Sequence, residues 1–121
     1  MTPLDVQVSD LDRYTLVTLF GEIDASNSGW FREQLEAAVS GADNAVIVDL
    51  QSLAFSDSGG LGVFVVAARM ARQRQIPFEI AGTRGRVATV FRLLGMDQAL
   101  RVRADVQESV RALSLLGEGQ L

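Results

Sequence analysis

Apolar positions along this chain switch between a period of two and a period near 3.6, and the switches mark its elements. Leu4, Val6 and Val8 alternate with polar neighbours and predict a half-buried strand, followed by the polar turn Asp10-Leu11-Asp12-Arg13. Residues 14–20, YTLVTLF, are rich in β-branched and aromatic types and predict a second strand, near enough to the first for a hairpin and ended by Gly21-Glu22-Ile23-Asp24. Phe31, Leu35, Ala38 and Val39 then form a helical stripe, with Asp24, Ser26 and Asn27 as candidate caps and Gly41 as its stop. Val46-Ile47-Val48 is a compact β-branched run bounded by polar residues, which predicts a strand buried on both faces in a parallel sheet. A second helix over 61–72 follows, with Leu61, Phe64, Val65 and Ala68 on one side and either Asp57 or Ser58 as its N-cap.

Beyond a turn at Gln75-Ile76-Pro77, Phe78 and Ile80 alternate with Glu79 and Ala81, the pattern of a strand near the sheet edge with one face less covered. Gly82-Thr83-Arg84-Gly85 is its exit loop, and Val87, Val90, Phe91 and Leu94 set a third helix that Gly95 terminates. Leu100 and Val102 make a short strand. Asp105 and Glu108 form a capping box for a last helix that buries Val106, Val110 and Leu113, and residues 117–121 are expected to fray. Strands alternating with helices after an initial hairpin predict one α/β domain over 1–116, a mostly parallel mixed sheet of about five strands with about four helices. Loops leaving parallel strands emerge at one edge, so Asp24, Ser58 and Thr83 should gather there.

The second helix carries an additional stripe, Val63, Val66, Ala67 and Met70, that makes it apolar nearly all round. Two readings stand: burial between layers, or a protein-docking face that begins beside Ser58.

Composition narrows the chemistry. The chain has 121 residues, 48% hydrophobic and 21% charged, which suits one core and no second domain. Its net charge is −4 and all 11 basic residues are Arg, with no basic stripe, which speaks against nucleic acid or an anionic membrane as partner. No apolar run approaches a membrane span and the N-terminus lacks a signal-peptide pattern, so a cytoplasmic protein is expected. Cys, His and Lys are absent, which removes disulfides, thiol nucleophiles, imidazole bases, Schiff-base chemistry and a P-loop lysine. The strand-turn-helix around Ser58 resembles a nucleophile elbow, but no histidine exists to deprotonate the hydroxyl. Carboxylates lack calcium-loop spacing. No metal, no cofactor and no enzymatic activity are expected.

At a strand-to-helix turn, the Ser58 hydroxyl has two uses. It can cap the helix, or it can accept a phosphate, since the unpaired amides of a helix start tolerate an anion.

Val46-Ile47-Val48-Asp49-Leu50 followed by Phe55-Ser56-Asp57-Ser58-Gly59-Gly60-Leu61-Gly62 resembles the signature of STAS domains, in particular free-standing bacterial anti-sigma factor antagonists. Gly21-Glu22-Ile23-Asp24 and Leu94-Gly95-Met96-Asp97 resemble further family segments, so the similarity covers most of the chain. The resemblance implies that Ser58 is phosphorylated by a partner that is both an anti-sigma factor and a serine kinase. It implies that the unphosphorylated form binds this partner and frees a sigma factor, and that a serine phosphatase acting on phospho-Ser58 resets the system. It implies a polar contact from Asp24 to the kinase at the same edge, so the partner surface expected is Asp24, Asp57, Ser58 and Gly59, continued by Val63, Val66 and Met70 of the additional apolar stripe. Thr83 reads as a turn residue. Asp49 reads as a structural acceptor for backbone amides. One position departs from the family pattern: Gly59 stands where a second Ser or Thr is usual. The alternative is a non-phosphorylated STAS scaffold or small-ligand module within a larger assembly.

Overall fold

A computed structural model describes residues 3–119. Among them, five strands form one sheet in the order β1 (Asp5–Asp10), β2 (Thr15–Ile23), β3 (Val46–Ser56), β4 (Phe78–Ala81) and β5 (Arg101–Arg103). β1 runs antiparallel to β2, and the remaining pairs are parallel. The helices are α1 (Ser28–Gly41), α2 (Ser58–Gln73), α3 (Gly85–Leu93), the short α4 (Met96–Ala99) and α5 (Val106–Gly119). This is the predicted hairpin and alternation, with α4 added.

Strand alternation sorts the core into two faces. On one face Val17 and Leu19 of β2, Val46, Val48 and Leu50 of β3, and Ile80 of β4 are buried beneath α1, α2 and α3. Three rings tie those helices together: Phe31 meets Phe64 edge-on at 5.4 Å, and Phe64 meets Phe91 at 6.0 Å. The stripe expected for α1 (Phe31, Leu35, Ala38, Val39) is its buried set. Ile47, Glu79 and Ala81 have the opposite parity, and α5 lies against β3, β4 and β5 there.

Several expectations are corrected. β2 continues through Gly21 to Ile23; Gly21 has φ 107°, and a Cβ there would stand 1.9 Å from the Pro3 carbonyl oxygen. β3 extends to Ser56, well past the β-branched run that marks its start. β4 is buried at every residue, because β5 takes the edge and α5 covers the second face. Glu79 is thus fully buried, and Arg103 neutralises it through Nε at 2.8 Å and Nη2 at 3.3 Å. Leu94 is 58% exposed, since α3 ends before it. Among the α5 residues whose burial is described, Ser109 is fully buried, and Val106, Val110 and Leu113 are half-buried. That helix extends to Gly119, and the last two residues of the tail expected to fray lie outside the described residues. No helix among the described residues is long and apolar enough to cross a membrane.

Candidate functional site

Parallel pairing of β2 and β3 brings Ile23 into register with Ser56, so the chain leaves both strands at the same edge. The Asp57 amide donates to the Ile23 carbonyl at 3.1 Å and locks the two exits together. From there α2 begins. Asp57 is its N-cap: the backbone is extended, and Oδ1 accepts from the Gly60 amide at 2.9 Å. The Leu61 amide bonds the Asp57 carbonyl, closing the first turn. Of the two candidate caps, Asp57 takes the role. Ser58 becomes the first helical residue, exposed to solvent, beside amides that no helical carbonyl can reach.

The three glycines of this turn differ. A Cβ on Gly60 would stand 2.4 Å from the Ser56 Oγ and 2.5 Å from the Ile23 Cγ2, so the close approach of α2 to the strand ends requires glycine. A Cβ on Gly59 would meet only Asp57 Oδ1, at an ordinary 3.5 Å, and one on Gly62 would meet nothing within 4 Å. The departure at Gly59 is therefore not dictated by sterics: a serine or threonine would fit.

Asp24 sits on the same edge, directly after Ile23. It does not cap α1. Its Oδ1 accepts from the Ser26 amide at 2.8 Å and from the Ser26 hydroxyl, making a local turn. The hydroxyl first, and then the amide, hold the Asp24 carboxyl below its usual range, so it is anionic at neutral pH. Its Oδ2 is buried with no hydrogen-bond partner. The N-cap position of α1 belongs to Asn27, whose Oδ1 instead reaches back to the Asp24 amide at 3.0 Å, while Nδ2 donates to the Glu22 carbonyl at 2.9 Å. Asp24 and Asp57 thus flank the start of α2 with negative charge. Among the described residues, no group of three or more acids, His or Cys could hold a metal.

Thr83 does not join this edge. β4 ends at Ala81, paired with Asp49, while β3 continues to Ser56, and Gly82 packs against Asp49 and Gln51. What does reach the extension of β3 is the start of α3, where the Arg86 guanidinium lies 5.2 Å over the Phe55 ring. Asp49 accepts the Gln51 amide at 3.0 Å, the structural role expected, although the backbone it orders is strand.

The solvent-bordering apolar face of α2 is narrower than its sequence suggests. Val63 is 7% exposed and Ala67 is fully buried, both within the core, on a helix that packs against α1. Val63 is withdrawn from the candidate partner surface. Val66 and Met70 are half-buried, and with exposed Gly59, Gly62 and Arg69 they border solvent. Ser26, expected only as a candidate cap, is the hydrogen-bond partner of Asp24, and Gly60, expected only as part of the motif, is the glycine that close packing requires. The Asp-x-Ser spacing of a side-chain turn signals the first, but nothing in a run of glycines singles out the second.

The sequence matches the STAS domain family over residues 5–109. The chain belongs to that family. It is 29% identical over 100 residues to the anti-sigma-B factor antagonist of Listeria monocytogenes, an alignment spanning 83% of this chain and 87% of that protein. Its fold is similar to the structure of the anti-sigma factor antagonist SpoIIAA in its unphosphorylated form, with a TM-score of 0.75 at 20% identity over 91% of this chain and 96% of that one. The Bacillus cell fate determinant SpoIIAA in its phosphorylated form is similar at a TM-score of 0.68 and 22% identity, covering 90% and 99%. Within this STAS domain the motif-bearing turn and the Asp24 turn lie side by side, joined by the bond from the Asp57 amide to the Ile23 carbonyl.

Proposed function

We propose that this STAS domain is an anti-sigma factor antagonist controlled at Ser58. In its unphosphorylated form it binds an anti-sigma factor that is also a serine kinase and so frees a sigma factor. Phosphorylation of Ser58 by that kinase ends the binding, and a serine phosphatase restores it. The protein is then a kinase substrate and a binding partner in the cytoplasm and needs no cofactor of its own. The observation that carries this reading is that Asp57 makes the capping bond, which leaves Ser58 exposed at the first position of α2. The names of its relatives and its fold support the same reading.

The contact surface proposed is Asp24, Asp57, Ser58 and Gly59, continued by Val66 and Met70. Phosphate adds roughly −1.5 to −2 charge there, against two carboxylates that already flank the turn. Any partner covering the turn must then desolvate and approach this charge, so binding weakens. The fold itself tolerates phosphate, because a helix start favours an anion. Incubation with the cognate anti-sigma kinase and ATP tests the assignment. Peptide mapping should find phosphate on Ser58 and not on Ser52 or Ser56, and labelling that persists in Ser58→Ala would refute it.

A further inference from the structure

A cleft of about 550 Å3 opens at the end of α2 opposite Ser58, where the last turns of α2 meet the entries to β4 and β5. We propose that this cleft binds a small amphipathic anion, an aliphatic or aromatic body carrying one carboxylate or phosphate. Its size falls within the range of about 300–1,000 Å3 typical of small-molecule sites. The apolar part of its wall is supplied by Ala68, Ile76, Phe78 and Leu100, the last two almost wholly buried. Arg72 and Arg101 stand on the same wall, and no acidic residue lines it, although the chain as a whole carries a net charge of −4.

Both guanidinium groups have charge to spare. Glu79 lies 4.0 Å from Arg101, but its carboxylate is already engaged by Arg103 at 2.8 Å and 3.3 Å. Arg72 makes no ion pair among the described residues. Planar guanidinium pairs suit carboxylate and phosphate oxygens better than any other anion site this chain could build without lysine.

A backbone observation points to the same place. α2 ends with the Ile76 amide on the Ala71 carbonyl and the Gln75 amide on the Arg72 carbonyl, both at 3.0 Å, which is a Schellman closure. Its left-handed position favours glycine, yet Gln75 occupies it with φ 59°. The strained Gln75 and Gln98, both with side-chain amide donors, line the cleft. A glycine at position 75 would close the helix with less strain and would leave the cleft without one of those donors.

The test is an amide-resonance titration of the isotope-labelled protein with octanoate and with octyl phosphate, using octan-1-ol and inorganic phosphate as probes that each lack one half of the ligand. Saturable shifts confined to residues 68–78 and 98–101 are expected for at least one of the two amphiphiles, which also identifies the head group. Octanol and inorganic phosphate should bind about tenfold more weakly or worse. The double variant Arg72→Gln, Arg101→Gln should lose about tenfold in affinity with only a small change in melting temperature, because both side chains are exposed and Arg103 still pairs with Glu79. Gln75→Gly should weaken binding while raising the melting temperature, a split that a purely structural residue would not produce. Shifts that do not saturate or fall elsewhere, octanol binding as well as octanoate, or full affinity in the double arginine variant would each overturn the proposal. Unchanged affinity in Gln75→Gly would remove that residue from the site.

Discussion

Ser58 and Asp57 divide two tasks that the sequence could not assign, since both are good N-cap types at adjacent positions. With the cap on Asp57, Ser58→Ala should cost no more than about 0.5 kcal/mol, as for an exposed surface position. Asp57→Ala should cost about 0.5–2 kcal/mol by chemical denaturation, because the Gly60 amide loses its acceptor. Gly60→Ala should cost about 1–3 kcal/mol, since the methyl would press on Ile23 and Ser56, both buried, whereas Gly59→Ser should be nearly neutral. Asp24 makes a separate prediction. Its folded-state pKa is depressed, so its hydrogen bonds stabilise the fold above the unfolded value and that contribution is lost as pH falls through the folded value. Ser26→Ala removes the larger cause, and carboxyl resonances followed through acid titration should show Asp24 protonating at higher pH than in the parent. The motif was legible because spacing alone puts a serine at a helix start. Which glycine touches a neighbour was not, because that depends on the position of Ile23 in another strand.

Helix α2 carries part of the proposed partner surface, and its two apolar stripes separate in the fold. A periodic pattern alone leaves open whether water or a neighbouring element covers the additional stripe; in the fold Val63 is buried, and Val66 and Met70 lie at the border. Val66→Asp should therefore weaken binding of the anti-sigma partner with only a modest fall in melting temperature. Val63→Asp should unfold the domain or melt far lower, because it buries an unpaired charge. Equal thermal damage from the two variants would mean that Val66 belongs to the core and would take it off the partner surface. The length of β3 was similarly hidden. Its second half includes exposed Gln51, Ser52 and Ala54, and the register shifts against β2 break the alternation that marks a strand. That unseen extension keeps Thr83 away from Ser58 and leaves Asp24 as the residue that shares its edge.

For the whole molecule, the hairpin and the alternation were readable because each strand and helix announces itself locally. The buried ion pair was not. Glu79 looked like the polar face of an edge strand, and its partner Arg103 lies 24 residues on, beyond any local period. Arg103→Met should destabilise the domain by less than the ~3–5 kcal/mol seen when a fully buried pair is broken, because Arg101 remains 4.0 Å from the stranded carboxylate and Arg103 is itself 33% exposed. These features form the scaffold on which the exposed turn is presented, and the function proposed for it rests on charge at one residue. Calorimetric titration of the cognate anti-sigma factor with the parent, Ser58→Ala and Ser58→Asp tests that most directly, once all three show intact melting transitions. The account predicts parent-like affinity for Ser58→Ala and a loss of about tenfold or more, roughly 1.4 kcal/mol, for Ser58→Asp. Equal affinities for the two variants would contradict it and would favour a STAS scaffold that Ser58 does not switch.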